Sequence, residues 1–205
     1  MKTIPFLILL LSVFSCQSQT KELSLKPKPG KAVAVFAEGC FWCSEHVFEA
    51  VYGVDEAVSG YSGGAAKNPS YHQVGTNTTG HAEAVAVFYD PKKVSYSQLV
   101  DAFFASQDPT TPNQQGPDIG SSYRSIAFYS NQNEKKIIQD KIASLTAAKI
   151  YANPIVTEVK PVTAFYEAED YHQDYVKHNP NQGYVQGVSL PRFNKFKKTF
   201  KGKLK

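Results

Sequence analysis

The 205-residue chain reads as an α+β domain, a ferredoxin-like, split βαβ two-layer sandwich with a C-terminal extension. Three observations carry that reading. Strand-like and helix-like segments follow one another in the order β-α-β-β-α-β. No helix lies between the second and third strands, which excludes a Rossmann-type alternation. Hydrophobic content of 42% with 20% charged residues is the composition of a chain with a packed core. From Lys31 onward no repeat and no low-complexity linker interrupts the pattern, so one domain is expected over residues 32–190.

Residues 32–36 (AVAVF) form a short β-rich run that Glu38-Gly39 breaks. Residues 43–51 carry Val47, Ala50 and Val51 at helical spacing. Residues 54–61 read as a strand, ended by Ser62-Gly63-Gly64, and residues 81–89 as another, halted by Asp90-Pro91. Ser95 caps a helix that runs to Gln107, with Leu99, Val100, Phe103 and Phe104 on its apolar side. Residues 122–129 form the fourth strand. Asn131 opens an amphipathic helix to about Tyr151, with Ile137, Ile138, Ile142 and Leu145 on one face, and a further strand covers 155–162. Two long loops, 62–80 and 107–121, are rich in Gly, Pro and Asn; loops of that length in a compact domain often carry function.

The formal charge of +4 is unevenly spread. Seven of the 22 basic residues lie in the last 14 positions; without that tail and the leader, 14 bases face 18 acids. A body of that sign argues against a nucleic-acid partner. In the tail, residues 191–205, Phe193, Phe196, Phe200 and Leu204 recur at spacings of three and four between lysines. It either lies on anionic lipid or docks its phenylalanines on the domain. At the other end, residues 1–15 combine Lys2 with an apolar run from Ile4 to Leu11, the form of a secretory signal. The run Val13-Phe14-Ser15-Cys16 resembles a bacterial lipobox, which would make Cys16 a lipidated N-terminus and residues 16–31 a solvated tether. A plain signal peptide cut nearby is the alternative. The expected location is extracytoplasmic and membrane-anchored, periplasmic or at the cell surface.

With Cys16 assigned to lipid, Cys40 and Cys43 remain as one local pair in the stretch EGCFWCSE. A strand followed by Glu38-Gly39 and a helix puts Cys40 at the helix start, where unpaired N–H groups favour a thiolate. Cys43 follows one turn later on the same face. Cys40 is the candidate nucleophile and Cys43 the candidate resolving thiol, which a modest local adjustment would join as a disulfide. Other readings stay open: a zinc half-site with His46, a thioredoxin-like thiol–disulfide oxidoreductase, or two packed structural thiols.

GCFWCSE resembles the signature of the A-class peptide methionine sulfoxide reductases, and similar segments follow in family order: GYSGG, NPSYHQV, GHAEAV, FYDP, DPTTPNQQGPDIGSSYRS and FYEAEDYHQDY. The resemblance covers roughly Ala32 to Pro191. It implies reduction of methionine-(S)-sulfoxide, free or in oxidised proteins, with Cys40 attacking the sulfoxide sulfur. Glu83 would be the acid that protonates the departing oxygen, and alternation along its strand puts it between apolar neighbours. Tyr71 and Tyr123 would offer hydroxyls to that oxygen, and Asp118 would hold the main-chain N–H of the substrate. Phe41 and Trp42 would wall the S-methyl group. The Cys40 sulfenic acid would then condense with Cys43, the one internal candidate because no cysteine follows it, or be reduced directly by an external thiol. A thioredoxin-like external thiol is implied as reductant, with no metal or other cofactor and a monomeric enzyme. The acids around His172 (Glu167, Glu169, Asp170, Asp174) read as a solvated helix face.

Overall fold

The computed structural model describes residues 20–205, so the leader and Cys16 lie outside the described residues. In chain order the elements are β1 (Ala32–Glu38), α1 (Phe41–Glu49), β2 (Val54–Ser62), α2 (Tyr71–Gly75), β3 (Ala82–Tyr89), α3 (Tyr96–Ser106), β4 (Gln114–Gln115), β5 (Asp118–Ile119), β6 (Ser125–Tyr129), α4 (Gln132–Ala147), β7 (Glu158–Pro161), β8 (Phe165–Glu167), α5 (Tyr175–His178) and α6 (Leu190–Thr199). A π-helical turn, Val185–Ser189, leads into α6. The main sheet has six strands in the order β7-β6-β1-β3-β2-β8. It is a mixed sheet: β7 joins β6 in parallel across the α4 crossover, and the other pairings are antiparallel.

Period-two alternation divides the strands' side chains between two faces. One face gathers Phe36 from β1 and Val85, Val87 and Tyr89 from β3 under Phe48, Leu99, Phe103, Ile138 and Phe196 of the helices. Phe36 stacks on Phe48 with ring centroids 5.1 Å apart and on Phe103 at 5.2 Å. The opposite face carries Val35, Ala84, Ala86, Ile126 and Phe128, with Leu23 and Leu25 packed against it. Residues 20–25, expected as solvated tether, therefore differ from expectation. Leu23 donates its N–H to Phe165 O at 2.8 Å, and Glu167 N–H reaches Lys21 O at 2.9 Å. Two apolar side chains at alternate positions and an unpaired strand edge give this segment a reason to dock.

The caps at Ser95 and Asn131 form as expected, with Ser95 and Gln98 making a reciprocal capping box. The final helix docks on the domain: Phe196 is fully buried, Phe200 nearly so, and Leu204 bridges back to Val51. Its lysines point to water, so the second of the two readings of the tail describes the fold. The acids around His172 are also not a helix face. They follow β8 into a short turn, and Glu169 is buried there, accepting from Tyr61 Oη at 2.9 Å and from Tyr71 N–H at 3.0 Å.

Candidate active site

β1 ends at Glu38, and one residue of left-handed backbone turns the chain into α1. That residue is Gly39, with φ +87°, and a Cβ there would run into the Gln115 side chain. Cys40 is the N-cap of α1, its carbonyl accepting Cys43 N–H at 3.2 Å and Ser44 N–H at 3.3 Å. Both Cys40 and Cys43 are free, buried thiols. Cys43 also lies 3.1 Å from the Ser189 hydroxyl on the π-helical turn.

The helix start by itself favours a Cys40 thiolate, but the surroundings change which sulfur carries the charge. Burial pushes the Cys40 thiol well up, and the neighbouring Cys43 acts the same way. Its closeness to Cys40 draws the Cys43 thiol down, against burial, with Arg192 and Ser189 helping, so negative charge on the pair is favoured at Cys43.

Glu83, in the middle of the sheet on β3, is 3% exposed, and its Oε2 accepts the Phe41 N–H at 3.0 Å. Burial pushes its carboxyl up to about 8, partly countered by that hydrogen bond. It is a neutral acid at pH 7, as its apolar neighbours lead one to expect.

Cys40, Phe41, Trp42, Tyr71, Glu83, Asp118 and Tyr123 line one small cleft of about 180 Å³. These are all the candidate catalytic and substrate-contacting residues except the resolving Cys43, which sits behind Cys40. The eighth lining residue, Tyr184, carried no signal in the sequence that singled it out. Its hydroxyl donates to the Asp118 carboxylate. Burial raises the Tyr71 hydroxyl to about 12 and Tyr123 further, so both remain donors.

Trp42 is held on three sides. It stacks on Tyr175 at 3.7 Å between ring centroids, meets Tyr184 edge-on, and donates its indole N–H to His172 Nδ1 at 3.0 Å. That bond needs an unprotonated Nδ1, and burial lowers His172 to about 4, which keeps the ring neutral. A larger cavity of about 480 Å³ between α3, α4 and α6 holds none of the candidate residues. Among the described residues, no group of three or more His, Cys, Asp and Glu side chains is placed to hold a metal ion.

A buried thiol pair, a neutral carboxylic acid and two phenols around an aromatic wall can deliver a sulfur nucleophile and a proton to a small polar group carrying an apolar substituent. The chain matches the family model "Peptide methionine sulfoxide reductase" over residues 32–204. It is 48% identical over 183 residues to peptide methionine sulfoxide reductase MsrA 1 of Rhodopirellula baltica, covering 89% of this chain and 94% of that one. Mxr1 from Saccharomyces cerevisiae in reduced form superposes with a TM-score of 0.71 at 33% identity, over 77% of this chain and 91% of that one. Mxr1 in complex with Trx2 superposes with a TM-score of 0.53 at 26% identity, over 74% and 94%. Near-half identity along almost the whole of a relative, joined to a cysteine turn, acid and aromatic wall that converge on one cleft, means that this chain belongs to the peptide methionine sulfoxide reductase family.

Proposed function

We propose that the chain reduces methionine-(S)-sulfoxide, free or within oxidised proteins, through a Cys40 sulfenic acid and a Cys40–Cys43 disulfide. The S-methyl group rests against Phe41 and Trp42, Asp118 takes the substrate main-chain N–H, and the oxygen faces Glu83, Tyr71 and Tyr123. Cys40 passes its proton to the Cys43 thiolate as its sulfur attacks the sulfoxide sulfur. Glu83 gives its proton to the oxygen, and the sulfur–oxygen bond of the substrate breaks as that hydroxyl passes to the Cys40 sulfur. The bond between the two sulfurs breaks, and methionine leaves Cys40 as a sulfenic acid. Cys43 then bonds to the Cys40 sulfur, and the hydroxyl departs with the Cys43 proton as water. A thioredoxin-like dithiol reduces the disulfide; the Trx2 complex of the yeast relative supports a partner of that kind.

The observation that carries this reading is the Glu83 carboxyl, neutral at pH 7 and facing the same cleft as the Cys40 sulfur. The core is read as ferredoxin-like, supported by the antiparallel run β6-β1-β3-β2. The enzyme is read as a monomer lipidated at Cys16 and held outside the cytoplasm, supported by the apolar run and Val13-Phe14-Ser15-Cys16. Methionine yield from the separated S and R sulfoxides of a blocked methionine tests the activity. The S epimer is expected to be converted and the R epimer to stay inert; equal conversion of both, or full activity of Cys40→Ser, overturns the reading.

A further inference from the structure

Next to the turn that carries Cys40 lies an ion pair that the reaction as described does not use. Arg192, on α6, extends its Nη2 to Glu38 Oε1 at 2.8 Å and its Nε to Ser106 O at 2.7 Å. Glu38 is fully buried, and its other oxygen accepts from Ser106 Oγ at 2.7 Å. The remaining guanidinium nitrogen, Nη1, lies 3.7 Å from where a Cβ would stand on Gly39, so it faces the turn that carries Cys40. Three residues before Arg192, Ser189 contacts the Cys43 sulfur. One helix entry therefore supplies a hydroxyl to the second cysteine and a cation to the turn that carries the first.

An ion pair that only clamped α6 to β1 would engage every guanidinium nitrogen in its clamp. Here Nε and Nη2 are taken by Ser106 and Glu38, and Nη1 is left facing the cysteine turn. Burial raises the Glu38 carboxyl, which weakens its hold on the cation's field, and Arg192 in turn lowers the Cys43 thiol. The groups whose charge or hydrogen bonding acts on this sulfur are Cys40, Glu38 from β1, Glu83 from β3, Asp118 from β5, and Tyr184, Ser189 and Arg192 from the C-terminal segment. Arg192 is the cation among them.

We infer that Arg192 is a positioning residue that fixes one negative charge on the Cys40–Cys43 pair through Cys43, with Glu38 setting how much of its field is available. This deepens the proposed role of Cys43 and rests on it. In the first step the charge gives Cys40 a base to receive its proton. In the second step Cys43 readily gives that proton to the departing hydroxyl; the sulfur–sulfur bond forms, the sulfur–oxygen bond breaks, and water leaves. No outside oxidant enters, because the sulfoxide has already oxidised Cys40.

The test is a thiolate titration of the full chain by ultraviolet absorbance, alongside the rate at which the Cys40–Cys43 disulfide closes after one sulfoxide turnover. Arg192→Gln is expected to raise the thiolate midpoint by at least about one pH unit and slow closure about tenfold, with Arg192→Lys restoring most of both. Glu38→Gln is expected to move the midpoint the other way, downward. A clamp that mattered only for folding would not give opposite signs for the two halves of one ion pair. Should Arg192→Gln not fold, the downward shift in Glu38→Gln and the near-normal midpoint in Arg192→Lys carry the test. Midpoints unchanged, or moved in the same direction by both Gln variants, overturn the inference. If the unaltered enzyme forms no disulfide yet the midpoints shift as stated, the resolving role of Cys43 falls and the electrostatic role of Arg192 stands.

Discussion

The Glu83 carboxyl accepts the main-chain N–H of Phe41 at 3.0 Å, one residue past the cysteine at the mouth of α1. The acid is thus tied to the same helix start that carries Cys40. Glu83→Gln keeps an acceptor for that bond and removes the proton. Sulfoxide reduction is expected to fall by about 100- to 10,000-fold, the range for loss of a general acid, while exchange with small disulfides persists. Only the protonated acid serves, so the rate of the first step in the unaltered enzyme declines as pH rises through about 8. An alkaline limb that survives in Glu83→Gln would assign it to another group.

The same carboxyl makes stability depend on pH. Its value is raised from 4.5 to about 8 on folding, so the folded chain binds this proton more tightly than the unfolded one. Its contribution is complete below about pH 4.5 and is lost as pH climbs through about 8. Melting temperatures of Glu83→Gln and the unaltered chain, compared at both ends of that window, are expected to shift in favour of the variant at the alkaline end. A difference that does not change with pH would show that Glu83 is ionised throughout.

Cys43→Ser is expected to release one equivalent of methionine and then stop with a sulfenic acid on Cys40, readable with a dimedone-type trap. Rapid multiple turnover of this variant with a thioredoxin would remove Cys43 from the resolving role.

Trp42 is the one tryptophan in the sequence, so its fluorescence reports on the wall of the cleft. His172→Ala removes the acceptor 3.0 Å from its indole nitrogen. Fluorescence anisotropy is expected to drop, and KM for the sulfoxide to rise about tenfold, roughly the value of one hydrogen bond. In the unaltered chain an emission change is expected only as pH falls through about 4, where His172 gains its proton and ceases to accept. A change centred near 6.5 would mean that the ring is not buried as described.

Phe196 stacks on Phe200 at 5.0 Å and is wholly buried. Phe196→Ala is expected to destabilise the domain by about 3–5 kcal/mol in urea unfolding. A loss below about 1 kcal/mol would detach the C-terminal helix from the core.

What the sequence made legible was mostly local. Alternation in His81-Ala82-Glu83-Ala84-Val85 put Glu83 on the helix-covered face, because side-chain direction in a strand has a period of two. Ser95 announced a helix start because a cap acts over only three residues, here reaching Gln98. Long-range partners left no such mark. Glu38 and Arg192 stand 154 positions apart, and neither has a neighbour that implies the other. The acids beside His172 looked like a solvated face because nothing nearby in sequence indicates that Glu169 caps a buried tyrosine. Helix α2 escaped notice because it has five residues and sits in a polar loop, where periodicity cannot accumulate.

Thr20 Oγ1 bonds to Pro69 O at 2.8 Å, two residues before Tyr71, while Lys205 N–H bonds to Ala50 O at 2.9 Å, just past the far end of α1. The described residues therefore begin near the residue that opens α2 and end against the far end of α1. A fluorescent label attached at Thr20 would report on the Tyr71 side of the domain, whereas one at Lys205 would report on the Ala50 side.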